Sequence, residues 1–233
     1  MPKDKGSEYN KQLRIWENES NKLEDLIDYM PVGYSRPINE NDNSWRPDDP
    51  IFGGFWEGGK HWSEVITDDA IEFINDSQNF QNPFFMYLAF NAPHDPRQAP
   101  KRFLDMYPIE NISLPINYTP QHPYMYEIGN DPGLRDEALA PYPRSEYAVK
   151  KHLQEYYAII SHLDEQVGKV ISHFKNKKLL NNTYIIFTSD HGLSVGQHGL
   201  IGKQSLYDHS IRVPMIISGP KIKPNSSFSS DVY

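Results

Sequence analysis

Residues 145–178 read SEYAVKKHLQEYYAIISHLDEQVGKVISHFKNKK, and no other stretch restricts the fold as much. Val149, Leu153, Tyr156, Ile160, Leu163, Val167, Val170, Ile171 and Phe174 recur at helical spacing, and Ser145 stands where an N-cap belongs. A helix this long with one apolar stripe must lie along another layer. Short apolar runs suited to that layer flank it: PFFMYLAF at 83–90 upstream, TYIIFT at 183–188 and VPMIIS at 213–218 downstream. The first reads as a strand covered on both faces, and Pro214 belongs at the start of the third. Strand, helix, strand in this order predicts an α/β fold with a largely parallel sheet.

The rest of the chain is less regular. Residues 1–62 are polar and rich in Asn, Asp, Pro and Gly. They predict loops and turns packed on the domain, with a weak helix near 20–30. The spacing of Val65, Ile66, Ala70, Phe73 and Ile74 predicts a helix over 63–77, capped by Ser63 or Thr67. Residues 91–143 are proline-rich and irregular, with one short helix at 98–107; loops this long usually serve a substrate. The division is therefore 1–62 as an irregular appendage and 63–233 as the α/β domain.

A formal charge of −8 argues against nucleic acid, which calls for a basic face. No apolar run is long enough to span a bilayer, so no membrane partner is expected. The N-terminal MPKDKGSEYNKQLRIWENES lacks the apolar centre of a signal peptide. With no cysteine, the chain encodes no disulfide, thiolate metal site or cysteine nucleophile.

Two of the three predicted strands end directly in polar residues. FFMYLAF runs into Asn91-Ala92-Pro93-His94-Asp95, and TYIIFT into Ser189-Asp190-His191-Gly192. Open α/β sheets bind ligands beyond the carboxyl ends of their strands. If the two strands are parallel neighbours, His94, Asp190 and His191 share a rim. Asp190 and His191 can reach one metal ion. The carboxylate suits Ca²⁺ or Mg²⁺ and the imidazole suits Zn²⁺, so the pair alone does not name the metal. Lys203, in GLIGKQSLY, can meet an anion as a point charge. His198 and Arg212 read as structural, Arg212 bracing its loop through Asp208.

Taken together, IIFTSDHG, GQHGL, GKQSLYDHSIRVP, FFMYLAFNAPHDP and EYYAIISHLDEQVGKVI resemble the sulfatase family of the alkaline-phosphatase superfamily. DMYPIENISLP and LRDEALAPYPRSEYAVK resemble its iduronate-type, choline-sulfatase-like and bacterial polysaccharide branch. The resemblance runs from about Gly53 to Pro220. It implies an alkaline-phosphatase-like sheet sandwiched by helices, here incomplete, as the second half of the catalytic domain. It implies Ca²⁺ with Asp190 and His191 among its ligands, and His94 and Lys203 as catalytic, sulfate-binding residues. The substrate would be a sulfated sugar or polysaccharide, and the setting periplasmic or secreted.

The same resemblance calls for a formylglycine made from Cys or Ser in C/S-x-P/A-x-R, and for paired aspartates at a strand end. Ser35-Arg36-Pro37-Ile38-Asn39 comes nearest but has Asn39 in place of arginine; Asp48-Asp49 and Asp68-Asp69 do not follow strands. The expectation is a sulfuric ester hydrolase that is inactive as this chain alone, with the N-terminal half of the domain as a candidate partner. A non-catalytic sulfated-glycan binder and a phosphatase or phosphodiesterase of the same superfamily are the alternatives.

Overall fold

The long helix forms as the pattern predicts. In the computed structural model, which describes residues 5–31 and 33–227, it spans Glu146–Asn176, and the Ser145 hydroxyl accepts the Ala148 N–H at 3.1 Å. Its buried face is not purely apolar. Val149, Leu153, Ala158, Ile159, Leu163, Val170 and Phe174 are buried, but so are His152, Glu155 and His162, while Ile160 and Ile171 are exposed. We number it α3, after α1 (Lys5–Glu19) and α2 (Trp62–Asp76).

Helix α1 replaces the loops expected at the start of the chain. Its composition is polar, but Tyr9, Leu13 and Trp16 fall on one face. They pack with Leu26, Tyr34, Met125, Ala138, Leu139, Ala140, Tyr142 and Ile201. Burying three such side chains contributes roughly 1.5–3 kcal/mol each, enough to fix a helix of low intrinsic preference. The helix expected near 20–30 is reduced to helical turns at Leu23–Asp25 and Leu26–Tyr29. The cap of α2 also differs from expectation: His61 Nδ1 accepts the Ser63 N–H at 3.1 Å, and Ser63 and Thr67 are buried inside the helix. The short helix expected at 98–107 is Lys101–Leu104.

Strands β1 (Ile185–Thr188) and β2 (Met215–Ser218) pair antiparallel, Ile185 opposite Ser218 and Thr188 opposite Met215. The expected parallel arrangement does not hold for this pair. Parallel strands need a crossover, and the chain between these two contains only the helical turn Asp208–Ile211. Residues 83–90 are extended but join no strand among the described residues. Phe84, Met86 and Leu88 pack toward Ile74, Val170 and Phe174, whereas Phe85 and Tyr87 are 89% and 80% exposed. One face is covered rather than the two expected. Ile186, Met215 and Ile216 on the hairpin are exposed as well.

Candidate active site

Of the predicted site residues, His94 and Lys203 come together. Lys203 Nζ lies 2.6 Å from His94 Nε2 across 109 residues of chain. An ammonium only donates, so the contact requires a neutral imidazole with a free lone pair on Nε2. The proton then sits on Nδ1, which faces the Asp95 backbone oxygen at 2.9 Å and Asp95 Oδ1 at 3.0 Å. The hydrogen bond to Asp95 raises the His94 pKa above the ordinary histidine value, against the opposing effects of burial and Lys203.

Sequence reasoning missed what holds this pair. Arg135 pairs with Asp95 Oδ2 through Nη2, with Asp136 Oδ1 through Nη1 at 2.9 Å, and with the Tyr34 hydroxyl through Nε at 3.2 Å. Asp136 Oδ2 accepts from Gln204 Nε2 at 2.9 Å and lies 3.5 Å from Lys203 Nζ. Burial alone would raise the Asp95 pKa, but the His94 and Arg135 hydrogen bonds outweigh it and hold the carboxyl well below its usual range. Asp136 is lowered in the same way, burial being outweighed by Gln204, Lys203 and Arg135. The next residue, Glu137, is fully buried. Its carboxylate accepts the N–H groups of Ile201 at 3.0 Å and Gly202 at 2.8 Å, fixing the chain that leads into Lys203.

Asp190 and His191 follow β1 as expected, but among the described residues no hydrogen bond or ion pair joins them to His94 or Lys203. The strand pairing that would place His94, Asp190 and His191 on one rim is not formed among the described residues. The Asp190 side chain is 87% exposed and 3.7 Å from His191 Nε2. His191 Nδ1 is used by the Gly192 carbonyl at 3.0 Å, which leaves Nε2 free to ligate. The two side chains can therefore reach a common ion. Among the described residues no set of three acids or imidazoles could enclose one. Ca²⁺ takes six to eight oxygen ligands, so the Asp190 carboxylate fits as one member of such a shell, whereas the His191 nitrogen is an unusual ligand for that ion.

Gly192 fixes this loop. Its N–H donates to the Ser210 carbonyl at 2.9 Å, and an added Cβ would fall 2.0 Å from the His209 carbonyl oxygen. Gly192→Ala is expected to displace the Asp190–His191 turn and cost about 1–3 kcal/mol, measured by urea unfolding. Unchanged stability would mean that the 208–212 turn yields freely.

The remaining candidates are structural. His198 Nε2 meets Asn117 Nδ2 at 2.8 Å, and its ring stacks on Tyr207 at 4.2 Å. Arg212 pairs with Asp208 at 3.2 Å. The basic residues at the start of the proline-rich segment are each engaged internally: buried Arg97 with His152, Lys101 with Asp105 and Arg102 with Glu165. Ser35 is buried against the Ala138 carbonyl and Arg36 pairs with Glu155, so that string is part of the scaffold. Asp49 caps the turn at Ile51, and Asp48 and Asp68 pair with Arg46 and Lys60.

The sulfatase family profile matches residues 8–232, nearly the whole chain. The chain belongs to the sulfatase family. It is 37% identical to mouse iduronate 2-sulfatase over 163 residues, covering 66% of this chain and 30% of that protein. It is 30% identical to the choline-sulfatase of Rhizobium meliloti, covering 70% of this chain and 33% of that protein. The solved phosphonate monoester hydrolase of Silicibacter pomeroyi superposes with a TM-score of 0.62 at 21% identity, covering 93% of this chain and 42% of that one. That likeness shows the alkaline-phosphatase-like fold, of which this sulfatase-family chain has a part. The chain spans about a third of the length of the curated relatives it matches.

Proposed function

We propose that this chain carries the ester-binding part of a sulfuric ester hydrolase acting on a sulfated sugar or polysaccharide, in a periplasmic or secreted setting. The observation that carries the reading is the convergence of His94 Nε2 and Lys203 Nζ at 2.6 Å from two loop segments far apart in sequence. Two groups able to hold positive charge are brought together in an acidic protein, with their net surroundings balanced by Asp95 and Asp136. A sulfate monoester entering between them would replace the one Lys203–His94 contact with two contacts to its anionic oxygens. Lys203 would hold a sulfate oxygen. His94, once protonated on Nε2, could pass that proton to the departing alcohol oxygen as the S–O bond breaks. Charge grows on that oxygen in the transition state, so both groups would bind it more strongly there than in the ground state.

Asp190 and His191 are proposed as two ligands of a Ca²⁺ ion, with the others supplied by polypeptide outside the described residues. Such an ion, when bound, would add fixed positive charge for the ester oxygens. The formylglycine nucleophile of the family has no recognisable counterpart here, since the chain lacks cysteine and its serines lack the required motif. Residues 1–233 alone are therefore expected to bind sulfate without turnover, and the exposed sheet faces suit the N-terminal half of a sulfatase domain as partner.

Titrating the protein with sodium sulfate and with an aryl sulfate, followed by NMR, tests this. The His94 and Lys203 side-chain signals should move together, and Lys203→Ala should weaken binding about tenfold or more. Side-chain signals that ignore both ligands would remove the basis for the reading. Hydrolysis of the aryl sulfate by the unaccompanied chain would overturn the claim that the nucleophile lies elsewhere.

A further inference from the structure

We propose that Arg135 is a positioning residue for the His94–Lys203 pair, acting through Asp95 on one side and Asp136 on the other. Its functional meaning rests on the ester-binding reading above; its geometry does not. One planar guanidinium spans two carboxylates: Nη2 meets Asp95 Oδ2, and Nη1 meets Asp136 Oδ1 at 2.9 Å. Each carboxylate turns its other oxygen to a member of the pair. Asp95 Oδ1 faces His94 Nδ1 at 3.0 Å, and Asp136 Oδ2 faces Lys203 Nζ at 3.5 Å. The third arm, Nε, donates to the Tyr34 hydroxyl at 3.2 Å, and Tyr34 stacks on Tyr9 of α1. The fork is thereby anchored to a helix packed in the core. Only a rigid fork can hold two carboxylates at a set separation; a lysine is a point charge.

The arrangement does two things for His94. It fixes the proton on Nδ1 and turns Nε2 toward Lys203, where a ligand oxygen would arrive. It also balances charge. Asp95 and Asp136 offset Arg135 and Lys203, and the Lys203 Nζ contact requires a neutral His94 with a lone pair on Nε2 while no ligand is present. An incoming anion would separate Lys203 from Nε2 and add one negative charge, so proton uptake by His94 would accompany binding. The groups facing the imidazole are Asp95 and Lys203, with Arg135 and Asp136 one contact further away.

The test is ¹⁵N NMR of His94 in the ligand-free protein, across pH, for the wild type, Arg135→Lys and Arg135→Met. The wild type should show the Nδ1–H tautomer. Both variants should lose that preference, and the His94 midpoint should fall by roughly 0.5–1 unit as Asp95 swings away. The two explanations differ in sign. If Arg135 acted only through its charge, Met would raise the midpoint by removing a cation, and Lys would change nothing. Either of those results, in protein with an unchanged far-UV spectrum, overturns the proposal. Should Arg135→Met not fold, Arg135→Lys decides alone, because it keeps the charge and removes only the fork. Sulfate titration of the same samples separates the two readings. A His94 state that follows Arg135 without sulfate binding leaves the positioning role standing and removes the ester-binding one.

Discussion

Replacing Arg144 with alanine is expected to destabilise the protein by about 3–5 kcal/mol, the range for breaking a buried ion pair on one side only. Typical domains have about 5–15 kcal/mol in total, so this is a large fraction. Arg144 and Glu137 have fully buried side chains, with Nη2 and Oε2 2.8 Å apart. Arg144 also donates to the Ala140 carbonyl at 2.6 Å and the Gly199 carbonyl at 3.2 Å, and its guanidinium lies 3.7 Å from the Tyr142 ring centre. Glu137 in turn takes the Ile201 and Gly202 N–H groups. Alanine would leave a buried carboxylate with two amides and no cation, and two carbonyls without donors. The damage lies within a few residues of Lys203, so sulfate affinity should fall together with the urea midpoint. Arg144→Lys should recover only part of the loss, because one ammonium cannot reach all three acceptors in the plane of a guanidinium. A loss below about 1 kcal/mol in Arg144→Ala would mean that water reaches the pair and that the 199–203 loop is held by other contacts.

The same residues show why part of this protein is legible in sequence and part is not. The extent of α3 follows from its spacing because every third or fourth position is apolar. Its buried polar face does not. His152, Glu155 and His162 count against an apolar stripe and are inside only because distant chain meets them: Arg36 with Glu155, and Arg97 with His152. Helix α1 escaped notice because just three residues of a polar segment face the core, and their partners lie mostly more than 100 positions away. His94 and Lys203 were readable from the order of linked motifs, and the structure brings them into contact. Arg135 and Asp136 were not, since they sit in proline-rich chain without periodicity. What distinguishes them is a pair of contacts to residues 40 and 68 positions away, Asp95 and Gln204. The direction of β1 against β2 depends on how 189–214 folds back. A strand pattern read locally carries no information about its partner.

Stability should fall steeply in mild acid, and His162 should account for a measurable share of the fall. The His162 ring is fully buried between α2 and α3, 4.4 Å from the His61 ring and 5.2 Å from Phe103. Neither ring nitrogen has a hydrogen-bond partner; Glu64 Oε1 is 3.4 Å from Nε2 but out of alignment. Burial, with His61 beside it, lowers its pKa to about 3; Glu165 opposes the shift, and Lys169 and Arg102 add to it. In the unfolded chain the value returns to about 6.5. Below pH 6.5 the unfolded state therefore binds a proton that the native state refuses, so stability is complete above that pH and declines as the pH drops toward 3. The limiting slope is about 1.4 kcal/mol per pH unit for each such group. His152, held well below its ordinary value by burial and by Arg97 and Arg36, adds to the loss in the same direction as the pH falls below the unfolded value. His162→Phe keeps an aromatic ring against His61 and Phe103 and removes both unpaired nitrogens. Urea unfolding at pH 7.5, 6.0, 5.0 and 4.5 should show the variant losing about one proton less than the wild type, with its advantage widening as the pH falls. Parallel curves for the two proteins would show that His162 is protonated in the native state, which would require Glu64 to turn into hydrogen-bonding alignment with it.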